Sequence, residues 1–202
     1  MSRILRYLSD KWRALRSNLT ARWDGLMSVA ALAFAHCLVM PATPSSRVDP
    51  RPIERWVLWM EDQGRYVNTI AQIAVPLITR DVIGLKALIW VGLAGTTATH
   101  GLKRTLDDVE VRGVRLGQRP HSGDSRHNFP SGHAALASSG AVFMASRYSW
   151  YWLLLLLPIT LGTMYARVAL DEHTWSAVIA GASLGVLFTR PFCRRRSPDQ
   201  TG

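Results

Sequence analysis

The stretch W-Y-W-L-L-L-L-L-P-I-T-L-G-T-M-Y-A, residues 150–166, holds no charged side chain and five leucines in succession. A run this apolar reads as a helix that crosses a bilayer. Five further segments share its character: residues 25–40, 66–79, 82–99, 134–145 and 177–188. Residues 66–79 form the weakest of them, broken by Pro76 and short for a bilayer. Residues 82–99 carry Gly84, Gly92 and Gly95, small enough to let neighbouring helices approach closely. The expected fold is all-α: a polytopic bundle of six transmembrane helices over residues 25–189.

Charge supports a membrane topology. The chain of 202 residues has 24 Lys and Arg against 14 Asp and Glu, for a net charge of +10. These cations gather at the edges of apolar segments instead of along one polar face, so nucleic acid is not the expected partner. Residues 1–24 carry Arg3, Arg6, Lys11, Arg13, Arg16 and Arg22, with Ile4, Leu5, Leu8, Trp12 and Leu15 at roughly helical spacing. They read as a basic amphipathic helix on an anionic leaflet, or as a charged tail that fixes topology. A cleaved signal peptide fits poorly, because the charged region is long and no small-x-small cleavage site follows residues 25–40. Residues 190–202 form a second basic tail. Six spans put both termini on one side, and their arginines assign that side to the cytoplasm. Cys37 and Cys193 fall toward opposite faces, so no disulfide is expected.

The loops 101–133 and 167–176 then share the other face, and the chemistry gathers there. Arg119-Pro120 is followed by Pro130-Ser131-Gly132-His133 and later by Arg167 and His173. Guanidinium forks, a hydroxyl, a backbone amide and imidazoles suit a tetrahedral oxyanion. A zinc site built on His121, His127 and His133 is the rival, although neither a nearby Cys nor an H-E-x-x-H pattern accompanies them.

At these residues the chain resembles the type 2 phosphatidic acid phosphatase superfamily, whose membrane members dephosphorylate lipid phosphates and pyrophosphates. Its first signature is Lys, six residues, Arg-Pro. Arg119-Pro120 matches, but seven residues earlier stands Arg112; Lys103 fills the lysine role only if residues 105–118 are an insertion. The second, Pro-Ser-Gly-His, is complete at residues 130–133. The third keeps Arg167 and His173, but has Ala166 for its Ser and Ala177 for its Asp.

The resemblance implies that His173 attacks phosphorus to form a phosphohistidine and that His133 protonates the leaving oxygen, with no metal or other cofactor. It also implies that Arg119, Arg167, Ser131, Gly132 and either Lys103 or Arg112 hold the phosphate oxygens. The missing carboxylate at Ala177 leaves the tautomer of His173 to Asp171, Glu172, Ser176 or nothing; losing such a partner costs on the order of 10²- to 10⁴-fold elsewhere. The expected activity is hydrolysis of a lipid phosphate or pyrophosphate on the periplasmic face of a bacterial inner membrane. The rivals are a phosphotransferase of the same family and a lipid-phosphate binder without turnover.

Overall fold

The computed structural model describes residues 24–45 and 52–196; the basic segment expected at the N-terminus and the last residues of the C-terminal tail lie outside them. Among the described residues the chain forms seven α-helices: α1 (Asp24–Val39), α2 (Arg55–Asp62), α3 (Val67–Ile78), α4 (Val82–Leu106), α5 (Gly132–Arg147), α6 (Trp152–Ala169) and α7 (Trp175–Thr189). The six segments read as spans are all helical, and α2 is an additional short helix in the linker, followed by a 3-10 turn at Gly64–Tyr66.

Helix α5 is the hub. It packs on α3, α6 and α7, and nearly every residue from Ala134 to Arg147 is buried. Its sequence of Ala, Ser and Gly is small on all sides, as a helix surrounded by helices requires. The facing positions are matched to it. A Cβ on Gly181 of α7 would lie 2.2 Å from the carbonyl oxygen of Ser131, and one on Gly140 would lie 2.6 Å from that of Asn68 in α3. Apolar bulk is displaced outward: Ile70, Leu77, Ile83, Ile89, Trp90, Leu93, Leu154 and Leu161 are exposed. An apolar exterior around a small-residue and polar interior is the arrangement a lipid solvent favours.

The all-α expectation holds, while the span count goes further than helix length and composition alone support. Among the described residues only α4 and α6 are long and apolar enough to cross a bilayer by themselves. At 1.5 Å per residue, α3, α5 and α7 are about 18, 24 and 22 Å long. Helix α4 runs seven residues beyond the apolar segment, to Leu106, which carries Lys103 on a rigid helix rather than in a loop.

The connections alternate the helices, so the molecule has two ends. At one end lie the starts of α3, α5 and α7 and the finishes of α4 and α6. The amide of Ala42, just beyond α1, donates to Ser176 Oγ at 3.0 Å and brings the finish of α1 there too. At the other end Asp81 pairs with Arg147, and Arg196 reaches the carbonyl of Thr79. The start of α1 and the finish of α7 therefore share that second end. Between α4 and α5 a two-stranded hairpin stands on the first end, β1 (Glu110–Val111) paired antiparallel with β2 (Val114–Arg115). It turns through Arg112 and Gly113, both at positive φ. Cys37 and Cys193 are buried free thiols.

Candidate active site

A cavity of about 570 Å³ opens at the first end and runs down among α3, α4, α5 and α7. Lys103, Arg119, Gly132, His133, Arg167 and His173 line its upper part. Side chains drawn from four separate stretches of the sequence thus face one space. Arg112 is exposed at the hairpin turn and does not line it. Of the two candidates for the first signature, Lys103 is the one that lines this cavity, and the hairpin lies between it and Arg119.

His173 sits in the turn between α6 and α7 and is 2% exposed. Its Nδ1 lies 2.8 Å from the carbonyl oxygen of Asn128. A carbonyl only accepts, so Nδ1 carries the proton and donates it, leaving Nε2 with its lone pair free. Burial, and then the positive charges of Arg167, Lys103 and Arg119, hold the imidazole well below histidine's ordinary 6.5. His173 is therefore a neutral base. None of Asp171, Glu172 or Ser176 orients its ring; the backbone of Asn128 does so instead. Asn128 is itself fixed, its Oδ1 accepting from the amide of Thr174 at 3.0 Å and its Nδ2 donating to Leu116 O and Thr174 Oγ1. Thr174 in turn caps α7.

Ala177 is fully buried, packed in a cluster with Leu116, Phe129 and Ala180. Its carbonyl accepts from the amide of Ser131, which ties the Pro-Ser-Gly-His turn to α7. Ser131 precedes α5 as its N-cap but makes no capping bond with its side chain. Its Oγ is buried without a partner, as is Nε of Arg167. Buried polar atoms are rarely left so, except where a ligand completes them.

The guanidinium groups are held by two glutamates. Glu172 accepts from Arg119 at 2.6 Å and from Arg167 at 3.2 Å, while Glu61 accepts from Arg167 at 2.5 Å and from Arg65 at 2.8 Å. Nη1 of Arg65 then lies 3.3 Å from Nε2 of His133. The result is an unbroken ladder from Arg119 through Glu172, Arg167, Glu61 and Arg65 to His133. Sequence reasoning missed Glu61, Arg65 and Asn128. The only signal for the first two was a Glu and an Arg four apart beside Trp56 and Trp59, which reads equally as a surface pair.

The three histidines of the zinc alternative go to different partners. His121 meets the carbonyl of Asp171, His127 meets Asp107, and His133 meets Arg65. Among the described residues no group of three His, Cys, Asp or Glu could hold a metal ion.

A bundle with an apolar exterior and a recessed Arg, Lys and His cradle defines a membrane protein that handles a phosphorylated ligand. The comparisons narrow the class: residues 82–198 match the PAP2 superfamily, and the chain belongs to it. Over 175 residues it is 35% identical to a lipid A 1-phosphatase of Helicobacter pylori, covering 85% of this chain and 90% of that protein. The same enzyme from a second strain of that species is 36% identical over 172 residues, covering 82% and 85%. A lipid A 4'-phosphatase from Helicobacter pylori is 32% identical over 128 residues, 62% of this chain and 64% of its own. No solved structure matches the chain. These relatives place it on the membrane lipid phosphatase branch of the superfamily.

Proposed function

We propose that the protein removes a phosphate from a phosphorylated glycolipid of the lipid A type on the periplasmic face of a bacterial inner membrane, through a phosphohistidine and without a metal. The observation that carries this reading is the cavity among α3, α4, α5 and α7. Its head is cationic and holds both histidines, and its lower walls are apolar: Ile73 of α3, Leu88 and Val91 of α4, Leu136 of α5 and Phe188 of α7. Leu136 is 42% exposed on an otherwise buried helix, so this groove opens sideways toward lipid. A phosphate group seats in the head while its chains leave through the wall. The lipid A phosphatases among its relatives accord with that substrate.

In the first step Nε2 of His173 donates its lone pair to phosphorus as the bond from phosphorus to the lipid oxygen breaks. Protonated His133 gives that oxygen its proton. Arg119, Arg167 and Lys103, with Ser131 and the Gly132 amide, hold the remaining oxygens, whose charge persists through a loose transition state. In the second step water attacks phosphorus from the side the lipid left, His133 takes its proton, and the bond to Nε2 breaks to release inorganic phosphate. Arg65 bears on both steps. It donates toward Nε2 of His133, and burial, then Arg167 and Arg65, disfavour the charged form of that ring; the phosphate's negative charge is what favours proton uptake.

Six spans with both termini in the cytoplasm remain the topology that best fits the two ends. Arg190, Arg194, Arg195 and Arg196 sit at the end away from the cradle, where the positive-inside rule assigns the cytoplasm.

The test is phosphate release by the detergent-purified protein from a panel holding a lipid A 1-phosphate, a phosphatidic acid and an isoprenyl pyrophosphate, with chelator present. Release from the glycolipid that vanishes in His173→Ala is expected. Release that needs an added divalent cation, or survives His173→Ala, overturns the mechanism.

A further inference from the structure

The α3 wall of the cavity carries two polar groups that phosphate chemistry does not use. Gln72 is 5% exposed, and its Oε1 is buried without a hydrogen-bond partner. Oγ1 of Thr69, one turn away, is likewise buried and unpartnered. Both residues line the cavity. A carboxamide oxygen left unsatisfied in an apolar wall is costly unless something donates to it.

Their depth is fixed by the helices. Gln72 lies in the second turn of α3, seven residues after Arg65 of the preceding 3-10 turn, and Thr96, also lining the cavity, lies seven residues from Lys103 along α4. At 1.5 Å per residue each stands about 10 Å beneath the cationic head. Gly92, one turn deeper on α4, keeps the space open, since a Cβ there would meet nothing within 4 Å.

We propose that Gln72 and Thr69 form a subsite for a hydrogen-bond donor on the acyl portion of the substrate, and that this subsite selects hydroxyacylated or amide-bearing lipid phosphates. The inference rests on the lipid-phosphatase reading above and refines its substrate. Oε1 only accepts, so the ligand must bring a hydroxyl or an amide N–H. An isoprenoid chain has neither, and the ester carbonyls of a glycerophospholipid only accept. An amide-linked 3-hydroxyacyl chain on the sugar carbon beside the phosphorylated one puts its hydroxyl eight bonds from phosphorus. Three bonds of extended chain span ~3.5 Å, so the hydroxyl reaches ~9 Å, the depth of Gln72.

The experiment compares two synthetic N-acylglucosamine 1-phosphates, one with a 3-hydroxytetradecanoyl and one with a tetradecanoyl chain, beside an isoprenyl pyrophosphate. The full-length protein is used in detergent. The hydroxylated glycolipid is expected to be cleaved with a kcat/KM about ten- to a hundredfold higher than its deoxy analogue, and Gln72→Leu to bring that ratio close to one. Equal cleavage of the two glycolipids by the unmodified protein, or an undiminished ratio in a Thr69→Val, Gln72→Leu double variant, overturns the subsite and leaves the phosphatase reading standing. Cleavage of the isoprenyl pyrophosphate but of neither glycolipid removes the glycolipid reading, and the subsite with it. The first comparison needs no variant, so it decides even if substitution at Gln72 disturbs folding.

Discussion

Nδ1 of His173 and the carbonyl oxygen of Asn128 stand 2.8 Å apart. A peptide carbonyl thus occupies the orienting place that the family's third signature gives to a carboxylate four residues after the histidine. It fixes the same tautomer without adding a charge, and does so from the turn that leads into Pro-Ser-Gly-His, so one loop positions both histidines.

Ala177→Asp should therefore give no gain in rate. The position is fully buried among Leu116, Phe129 and Ala180, and the proton a new carboxylate would accept is already donated to Asn128. Burying that charge should lower stability by several kcal/mol. Rate and thermal midpoint measured together check this. An increase of tenfold or more in kcat would show that the carbonyl is an inadequate substitute.

The depressed proton affinity of His173 has a pH signature. Unfolded, the ring titrates near 6.5; folded, it stays neutral to well below that. The unfolded state therefore binds more protons as pH falls, and the contribution of neutral His173 to stability, complete above about 6.5, drains away beneath it at up to about 1.4 kcal/mol per pH unit. His173→Asn should lose less stability between pH 6.5 and 5 than the parent. Denaturant unfolding in detergent at both pH values reads the difference, and parallel losses in the two proteins would rule it out.

How far the sequence reached can be judged from these residues. The helices were legible because uncharged runs such as residues 150–166 leave few alternatives. His133, Arg119, Arg167 and His173 were legible because each sits in a short motif of fixed order. Asn128 was not, since its function rests on a backbone carbonyl that any residue would supply. Glu61 and Arg65 were hidden for a different reason: they lie more than a hundred residues before Arg167, on a short helix and the 3-10 turn after it, both too short to announce themselves by periodicity. Lys103 and Arg112 could not be separated by spacing; what distinguishes them is that Lys103 lines the cavity and Arg112 does not.

That separation gives a paired prediction. Lys103→Ala should lower kcat/KM by about a hundredfold or more, the scale of removing one donor from a preorganised oxyanion site. Arg112→Ala, at the exposed turn, should stay within about twofold. Kinetics on a single lipid phosphate suffice, and a reversed ranking would move the first-signature cation to the hairpin.

Glu172 accepts from two guanidiniums that would otherwise face the substrate. Substrate phosphate must compete with this carboxylate. Glu172→Gln should tighten inhibition by inorganic phosphate about two- to fivefold, within the range expected of a partly exposed ion pair. An unchanged inhibition constant would mean that Arg119 and Arg167 keep their partner while phosphate binds.

The last prediction concerns the far end of the bundle. Asp81 is 3% exposed, with Oδ1 2.5 Å from Nη2 of Arg147 and Oδ2 2.7 Å from its Nε. It also caps α4 by accepting from Gly84 and receives the hydroxyl of Tyr148. Burial alone would raise its carboxyl, but Arg147, the Gly84 amide and Tyr148 outweigh that and hold it at about 2. Its contribution to stability is thus complete above about 3.8 and disappears only as pH falls toward 2, well below the window in which His173 acts. Arg147 also donates to the carbonyl of Arg194 and accepts from the amide of Arg196, fastening the residues after α7. Asp81→Ala strips this buried guanidinium of its carboxylate and should cost about 3–5 kcal/mol, whereas adding Arg147→Met should recover much of the loss. KM of the folded fraction should not change, because this pair stands at the end opposite the cradle. A double variant no more stable than Asp81→Ala would mean that the guanidinium left by Asp81→Ala is not the source of the loss, its bond to the carbonyl of Arg194 offsetting the missing carboxylate.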